Sequence, residues 1–252
     1  MTAQHAQEQS EGPLTITILY DNYSFDKRLQ TNWGFSALIE DHDQRVLFDT
    51  GGDSPTLLIN MGLLGIKPMG INTLVLSHAH GDHTGGLEGL LRKGVSPTIY
   101  LPPSFPASYK RNLNQRCRVE EVAPGQEIRP GIFTTGEMGQ GIPEQALVLR
   151  TSLGSVLITG CAHPGIVKMI ERAKSLFDEP VYLVMGGFHL RSKSPVQIEG
   201  ILSKFRQLGV EKAAPSHCTG EEAIAMFEKE YSEDFIRLGA GKIISLECDL
   251  RK

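Results

Sequence analysis

Ser77-His78-Ala79-His80-Gly81-Asp82-His83 puts four potential metal donors into six residues, directly behind an apolar run and directly ahead of the pair Gly85-Gly86. The run, Thr73-Leu74-Val75-Leu76-Ser77, reads as a strand buried on both faces. Residues i and i+2 leaving a strand project the same way, so His78 and His80 can share one ion. Gly81 relaxes the backbone, which leaves Asp82 and His83 available for a second ion. Imidazole with carboxylate suits Zn, Fe or Mn better than Ca or Mg, and a paired centre of this kind can ionise water near neutral pH. Thr84-Gly85-Gly86 then turns the chain into a helix predicted over Gly85 to Lys93, with Leu87, Leu90 and Leu91 at helical spacing. The positive end of that helix would favour an anionic substrate.

On the N-terminal side, three short β-branched runs read as strands: Leu14 to Tyr20, Phe35 to Glu40 and Arg45 to Asp49. Asp41-His42-Asp43-Gln44 reads as a hairpin turn, and Ser54 to Met61 as a helix that stops near Gly62. On the C-terminal side, Thr98 to Leu101 is a strand, and Ser104 to Gly131 is loop-rich. Strands follow at Ala146 to Leu149, Ser155 to Thr159, Val181 to Met185, Lys212 to Pro215 and Lys242 to Leu246. Helices are expected at Gly165 to Leu176, Pro195 to Leu208 and Glu221 to Tyr231. β-rich segments followed by βα units occur twice, with no Gly/Ser/Pro linker between them. The expectation is a polar, disordered tail over 1–12 and one domain over 13–252, with helices covering packed sheets.

The 252 residues carry a net charge of −4, 40% hydrophobic and 21% charged residues. This is the composition of a globular protein, with no electrostatic footprint for nucleic acid or an anionic membrane. No apolar run reaches the length of a membrane span, and no signal core precedes Leu14. The cysteines Cys117, Cys161, Cys218 and Cys248 are widely spaced. Reduced thiols and a cytoplasmic location are expected. Lys110, Arg111, Arg116 and Arg118 either bind a phosphorylated substrate or form a solvated face.

Six of the eight histidines, His78, His80, His83, His163, His189 and His217, sit at or just after predicted strand ends. A sheet fixes geometry there while the loop stays accessible. His163 lies in Thr159-Gly160-Cys161-Ala162-His163-Pro164-Gly165. His189 follows Gly186-Gly187-Phe188, and His217 stands in Pro215-Ser216-His217-Cys218-Thr219-Gly220.

His78-Ala79-His80-Gly81-Asp82-His83, preceded by Phe48-Asp49-Thr50-Gly51, resembles the metallo-β-lactamase superfamily, in motif order from about Leu14 to Leu246. The three later motifs are similar to the subgroup that includes the archaeal dihydropterin–ribofuranosylaminobenzene phosphate synthase. The resemblance implies an α/β fold, a four-layer αββα sandwich with two divalent metals at one edge of its sheets. It implies that His78 and His80 bind the first metal, and that Asp82, His83 and His217 bind the second, with Asp49 supporting from behind. The usual third histidine of the first site is missing, since no histidine lies between residues 84 and 162. His163 is the leading replacement, and Glu137 and Cys161 are its rivals. Cys161 stands where many relatives carry a bridging aspartate. His189 is additional to the usual set and is expected to touch substrate or shuttle a proton, while Asp82 positions the nucleophile. The implied function is metal-dependent hydrolysis of an ester or phosphoester small molecule. The alternative is a synthase joining a dihydropterin to a phosphorylated ribosyl arene. A metal-holding sensor without turnover is the non-enzymatic reading.

Overall fold

Alternation along the strands sends their side chains into two different cores. In the computed structural model, which describes residues 13–42, 44–248 and 250–251, strand β1 (Leu14–Tyr20) buries Leu14, Ile16 and Ile18 on one face and Leu19 on the other. Strand β2 (Ser36–Asp41) divides Ala37 and Ile39 from Leu38, and β3 (Gln44–Phe48) divides Val46 and Phe48 from Leu47. The same period of two runs through a second sheet. Strand β9 (Leu147–Thr151) parts Leu147 and Leu149 from Val148, β10 (Gly154–Thr159) parts Val156 and Ile158 from Leu157, and β11 (Val181–Gly187) parts Leu183 and Met185 from Val184. The first set from each sheet forms one shared core between the sheets.

The outer faces are covered by helices. Leu57 and Met61 of α1 (Ser54–Leu63), Leu87, Leu90 and Leu91 of α3 (Leu87–Arg92), and Leu113 of α4 (Ala107–Asn114) pack on the first sheet. Met169 and Ile170 of α5 (Ile166–Leu176), Phe205 of α6 (Pro195–Gln207), and Phe227 of α7 (Glu221–Tyr231) pack on the second. Helix, sheet, sheet, helix: this is the four-layer αββα sandwich. None of these helices is long and apolar enough to cross a membrane.

The first sheet has the order β13-β1-β2-β3-β4-β5-β6, completed by β4 (Thr73–Val75), β5 (Thr98–Leu101), β6 (Arg118–Glu121) and β13 (Ile243–Leu246). The second runs β12-β11-β10-β9-β8-β7, with β7 (Glu127–Arg129), β8 (Ile132–Thr134) and β12 (Val210–Ser216). Strands β3 to β6 are parallel, as are β10 to β12. Parallel strands end at the same edge, so the loops after β3, β4, β10, β11 and β12 come out together. Ligands bind at such carboxyl ends in open α/β sheets.

Three expectations are corrected. The helix expected over Gly85 to Lys93 starts two residues later, as α3, and is preceded by a separate short turn α2 (Gly81–Thr84). Gly85 and Gly86 sit at the break because both donate backbone N–H groups to Gly51 O. A Cβ on Gly86 would overlap the Thr50 carbonyl oxygen, so close backbone docking wins over helical continuity. The loop-rich stretch from Ser104 to Gly131 contains α4, β6 and β7. The two strands lie at the sheet edges, where Arg118-Val119-Glu120-Glu121 is exposed or half-buried and has no apolar face to betray it. The strand expected to reach Ser77 ends at Val75. The hairpin between β2 and β3 closes with Asp41 opposite Gln44, while Asp43 and the tail over 1–12 lie outside the described residues.

Candidate metal centre

Three histidines at the common edge, His78, His83 and His217, are each held at Nδ1 so that Nε2 faces inward. Asp49, fully buried at the end of β3, accepts from the Ser77 backbone N–H at 2.7 Å and from the Ser77 hydroxyl at 2.7 Å. Its Oδ2 is also 2.7 Å from His83 Nδ1. The Ser77 hydroxyl, having donated to Asp49, accepts from His78 Nδ1 at 2.8 Å. On the other side, Asn22 Nδ2 donates to His217 O at 3.3 Å, which turns Oδ1 toward His217 Nδ1 at 2.9 Å. An acceptor at Nδ1 leaves the lone pair on Nε2, the tautomer a ligand needs.

The inward atoms converge. His78 Nε2 and His80 Nδ1 are 3.0 Å apart, and the His163 ring lies 4.9 Å from both of theirs. His83 Nε2 is 3.3 Å from Cys161 Sγ and 3.6 Å from Asp82 Oδ2, and His217 Nε2 is 3.3 Å from that same carboxylate oxygen. Two nitrogens bound tetrahedrally to zinc at about 2.0–2.1 Å lie roughly 3.3 Å apart, so these are the spacings of shared ligation. The atoms form three groups that share Cys161: Asp82, His83, Cys161 and His217; His78, Cys161 and His163, with His80 against this set; and Cys161, His189 and Cys218. Among the described residues, the buried Nε2 atoms of His163 and His217 have no hydrogen-bond partner, His217 only the ion-pair contact to Asp82, and an unpaired buried acceptor is costly unless a ligand takes it. The donor set therefore fits divalent cations.

Electrostatics divides the histidines, keeping His78 and His163 neutral and favouring a positive charge at His83. Burial and the neighbouring imidazoles hold His78 far below the usual histidine range, so it stays neutral. Burial, with the His189, His80 and His83 rings, lowers His163 to about 4. Burial also opposes protonation of His83, but the Asp49 and Asp82 carboxylates outweigh it and raise this ring to about 9. The Asp82 carboxyl is held well below its usual value: burial works against this, and the His217 and His83 rings win. Cys161 is pushed upward by its hydrogen bond to Cys218 and by burial, and a cation beside its sulfur would reverse that preference.

The backbone is strained where these side chains are aimed. Among the described residues, Asp49, Ala162, His189 and His217 have φ of 55°, 60°, 54° and 50°, in the left-handed region that non-glycine residues rarely adopt. Such conformations persist where the surroundings over-determine them. Glu144 is one cause. Fully buried just before β9, it accepts backbone N–H groups from Cys161 at 2.8 Å, Ala162 at 2.9 Å and His163 at 2.8 Å. Burial raises its carboxyl to about 7 against those three donors. Thr219 is another: its hydroxyl accepts from Phe188 N–H at 3.0 Å, tying the His189 loop to the His217 turn.

His189 itself is exposed at the rim, its ring 4.4 Å from that of His163. Its hydrogen bond to Cys218 raises it above the usual histidine value. Glu137 does not reach the cluster; its carboxylate accepts the Ser104 N–H at 2.8 Å. Lys110, Arg116 and Arg118 are engaged with Glu121, Glu88 and Glu120, so three of the four basic residues form a paired surface. Glu144 and Asn22 were invisible in the sequence, as neither stands in a motif and each reaches the site through folding alone.

Residues 34–217 match the sequence profile of the metallo-beta-lactamase superfamily. The chain belongs to that superfamily. The 7,8-dihydropterin-6-methyl-4-(beta-D-ribofuranosyl)-aminobenzene-5'-phosphate synthase of Methanocaldococcus jannaschii is 33% identical, over 90% of this chain and 95% of the relative. Tm1679, a metal-dependent hydrolase of the β-lactamase superfamily, is 29% identical, with a TM-score of 0.78 over 92% of this chain and 99% of its own. The metallo-β-lactamase fold protein YhfI from Bacillus subtilis has a TM-score of 0.70 at 13% identity, a likeness of fold alone. Superfamily membership implies divalent metal binding, which the donor geometry independently fits.

Proposed function

We propose that this centre takes two divalent ions, zinc foremost and manganese or iron as alternatives, and hydrolyses an ester or phosphoester of a small molecule. The observation that carries the reading is that two donor groups meet at Cys161, each with a buried imidazole nitrogen that has no hydrogen-bond partner among the described residues. His78, His80 and His163 would hold one ion, and Asp82, His83 and His217 the other, with the Cys161 sulfur between them. Ions bound there supply Lewis acidity toward a carbonyl or phosphoryl oxygen and a water ionised near neutral pH. The chain's own part is positioning. Asp49, Ser77, Asn22 and Glu144 fix the ring orientations before substrate arrives, so little reorganisation is left for the reaction. Asp82, partly exposed and held ionised, orients the attacking water and accepts its hydrogen bond. His189, at the rim with its proton affinity raised, contacts the substrate and passes a proton to the leaving oxygen.

The test is chelation. EDTA should abolish turnover of an ester and phosphoester panel, Zn or Mn should restore it, and His80→Ala should not be rescued. Full activity in a metal-free preparation would refute the proposal.

The synthase reading has one specific support: the relative at 33% identity carries that name and aligns along nearly its whole length. A dihydropterin and a phosphorylated ribosyl arene incubated with the metal-loaded protein would yield a condensed product separable by chromatography. Such a product, with no hydrolysis of the panel, would replace the first reading by the second.

A further inference from the structure

Two of the four cysteines serve the apolar cores. Cys117 packs in the core under α3 and α4, and Cys248 packs against the core between the sheets. Cys161 and Cys218 are also buried, yet they join none of the apolar clusters among the described residues. Instead their sulfurs and a His189 ring nitrogen lie within 4.8 Å of one another, and Cys218 Sγ donates to the Cys161 carbonyl oxygen at 3.6 Å. Cys218 belongs to neither of the two groups proposed to hold an ion.

The sheet brings this pair together. Strand β11 separates β10 from β12, and Gly187 at its end lies where the two cysteine-bearing loops meet. A Cβ on Gly187 would stand 2.8 Å from Cys218 Sγ and 3.3 Å from Cys161 Cα, so a side chain there would drive the loops apart. The Cys161 sulfur is also the atom common to all the donor groups, and it lies 3.3 Å from His83 Nε2. It therefore faces the proposed ions on one side and Cys218 on the other. A disulfide is about 2.05 Å long, so closure needs the sulfurs to approach by less than roughly 3 Å, the scale of one χ1 rotation. His189 is the exposed member of the trio, which opens it to a small solute.

We propose that Cys161 and Cys218 are a modification site, a redox pair that a peroxide joins as a disulfide, taking the shared sulfur out of the metal centre. One sulfur attacks hydrogen peroxide, forming an S–O bond as the O–O bond breaks and water leaves. The second sulfur then displaces that oxygen as a further water, and the S–S bond forms. The two thiols lose two electrons and two protons, and the peroxide takes up both. The thiolate is the metal ligand and a disulfide sulfur is not, so bound metal and the disulfide exclude one another at Cys161. That exclusion rests on the reading of Cys161 as a shared ligand; the link itself does not.

The experiment adds stoichiometric hydrogen peroxide to the metal-free protein and to protein in a zinc buffer. Without metal, the mass should fall by two hydrogens and the thiols titrated after denaturation should drop from four to two. Digestion should yield a peptide pair joining Cys161 to Cys218. With free zinc at roughly ten times its dissociation constant, linkage should slow about tenfold, because only unoccupied Cys161 reacts. Chelator competition should show the linked protein binding zinc at least about tenfold more weakly, and dithiothreitol should restore the affinity. Cys218→Ala, checked for unchanged melting temperature, should form no link, and Cys117→Ser should form it as before. Oxidation of separate cysteines without a linked peptide, a link through Cys117 or Cys248, or a rate indifferent to zinc would overturn the proposal. So would a linked protein that holds zinc undiminished. A zinc-excluding link in protein that hydrolyses no ester or phosphoester would sink hydrolysis and leave the redox pair standing. Metal-dependent turnover in a chain that never forms the link would do the reverse.

Discussion

The two sheets contribute to the centre in opposite styles. The first sheet delivers His78, His80, Asp82 and His83 from one unbroken segment after β4, braced by a single buried carboxylate, Asp49. The second delivers one element per strand end: Cys161 and His163 after β10, His189 after β11, His217 after β12. In the proposed assignment the contiguous segment supplies two donors to each ion and the dispersed side closes each with one, around Cys161. A contiguous segment can set positions by local backbone geometry alone. A dispersed set needs three loops registered against one another, and here strained backbone at Ala162, His189 and His217 accompanies that registration.

The sharpest way to break the contrast is to remove a donor from each side. Asp82→Ala should lose one of two bound metal equivalents by elemental analysis and reduce turnover by about 10³-fold, because the same side chain also orients the nucleophile. His163→Ala should lose the other equivalent. If either variant loses both ions, the two groups are one cooperative unit and the division between them fails.

The braces come next. Asp49 hydrogen-bonds the contiguous segment, and Glu144 hydrogen-bonds the loop after β10, with its Oε1 also 4.0 Å from His78 Nδ1. Asp49→Asn leaves the shape but puts an N–H₂ where an acceptor is needed for Ser77 or His83. Chelator competition should show affinity falling about 10- to 100-fold for both ions, since His78 is reached through Ser77 and His83 directly. Glu144→Gln should cost about tenfold, confined to the ion that His163 holds, with His83 and His217 unmoved. A Glu144→Gln effect as broad as that of Asp49→Asn would mean the loop after β10 organises the whole edge.

How much could be read beforehand follows the same division. The His78–His83 spacing declares itself because strand exit and helix entry are local events, and four donors in six residues have few other uses. The sandwich is legible because β1, β2, β3, β9, β10 and β11 alternate cleanly between two cores. The edge strands β6 and β7 are hidden because edges need no apolar stripe, and the break at Gly85-Gly86 because its cause, docking on Gly51 and Thr50, is tertiary. The brace Glu144 has no local signature at all: a glutamate seventeen residues ahead of Cys161 becomes its hydrogen-bond partner only when β9 and β10 pair.

Glu137 supplies the smallest expected effect and the cleanest discrimination. By chain order it stands near the place of the missing third histidine, yet its carboxylate turns outward to the Ser104 N–H. That bond is at the surface, so Glu137→Ala should change stability by no more than about 0.5 kcal/mol, within the spread of ordinary surface substitutions. Metal content should stay at the unaltered value, and turnover should hold. His163→Ala, on the other side of the same question, removes a half-buried ring whose Nε2 has no other partner. If Glu137→Ala lost an equivalent of metal and His163→Ala kept both, the carboxylate would have to swing inward on loading. The dispersed side would then begin in the loop after β8, and the closing donor would be an oxygen rather than an imidazole.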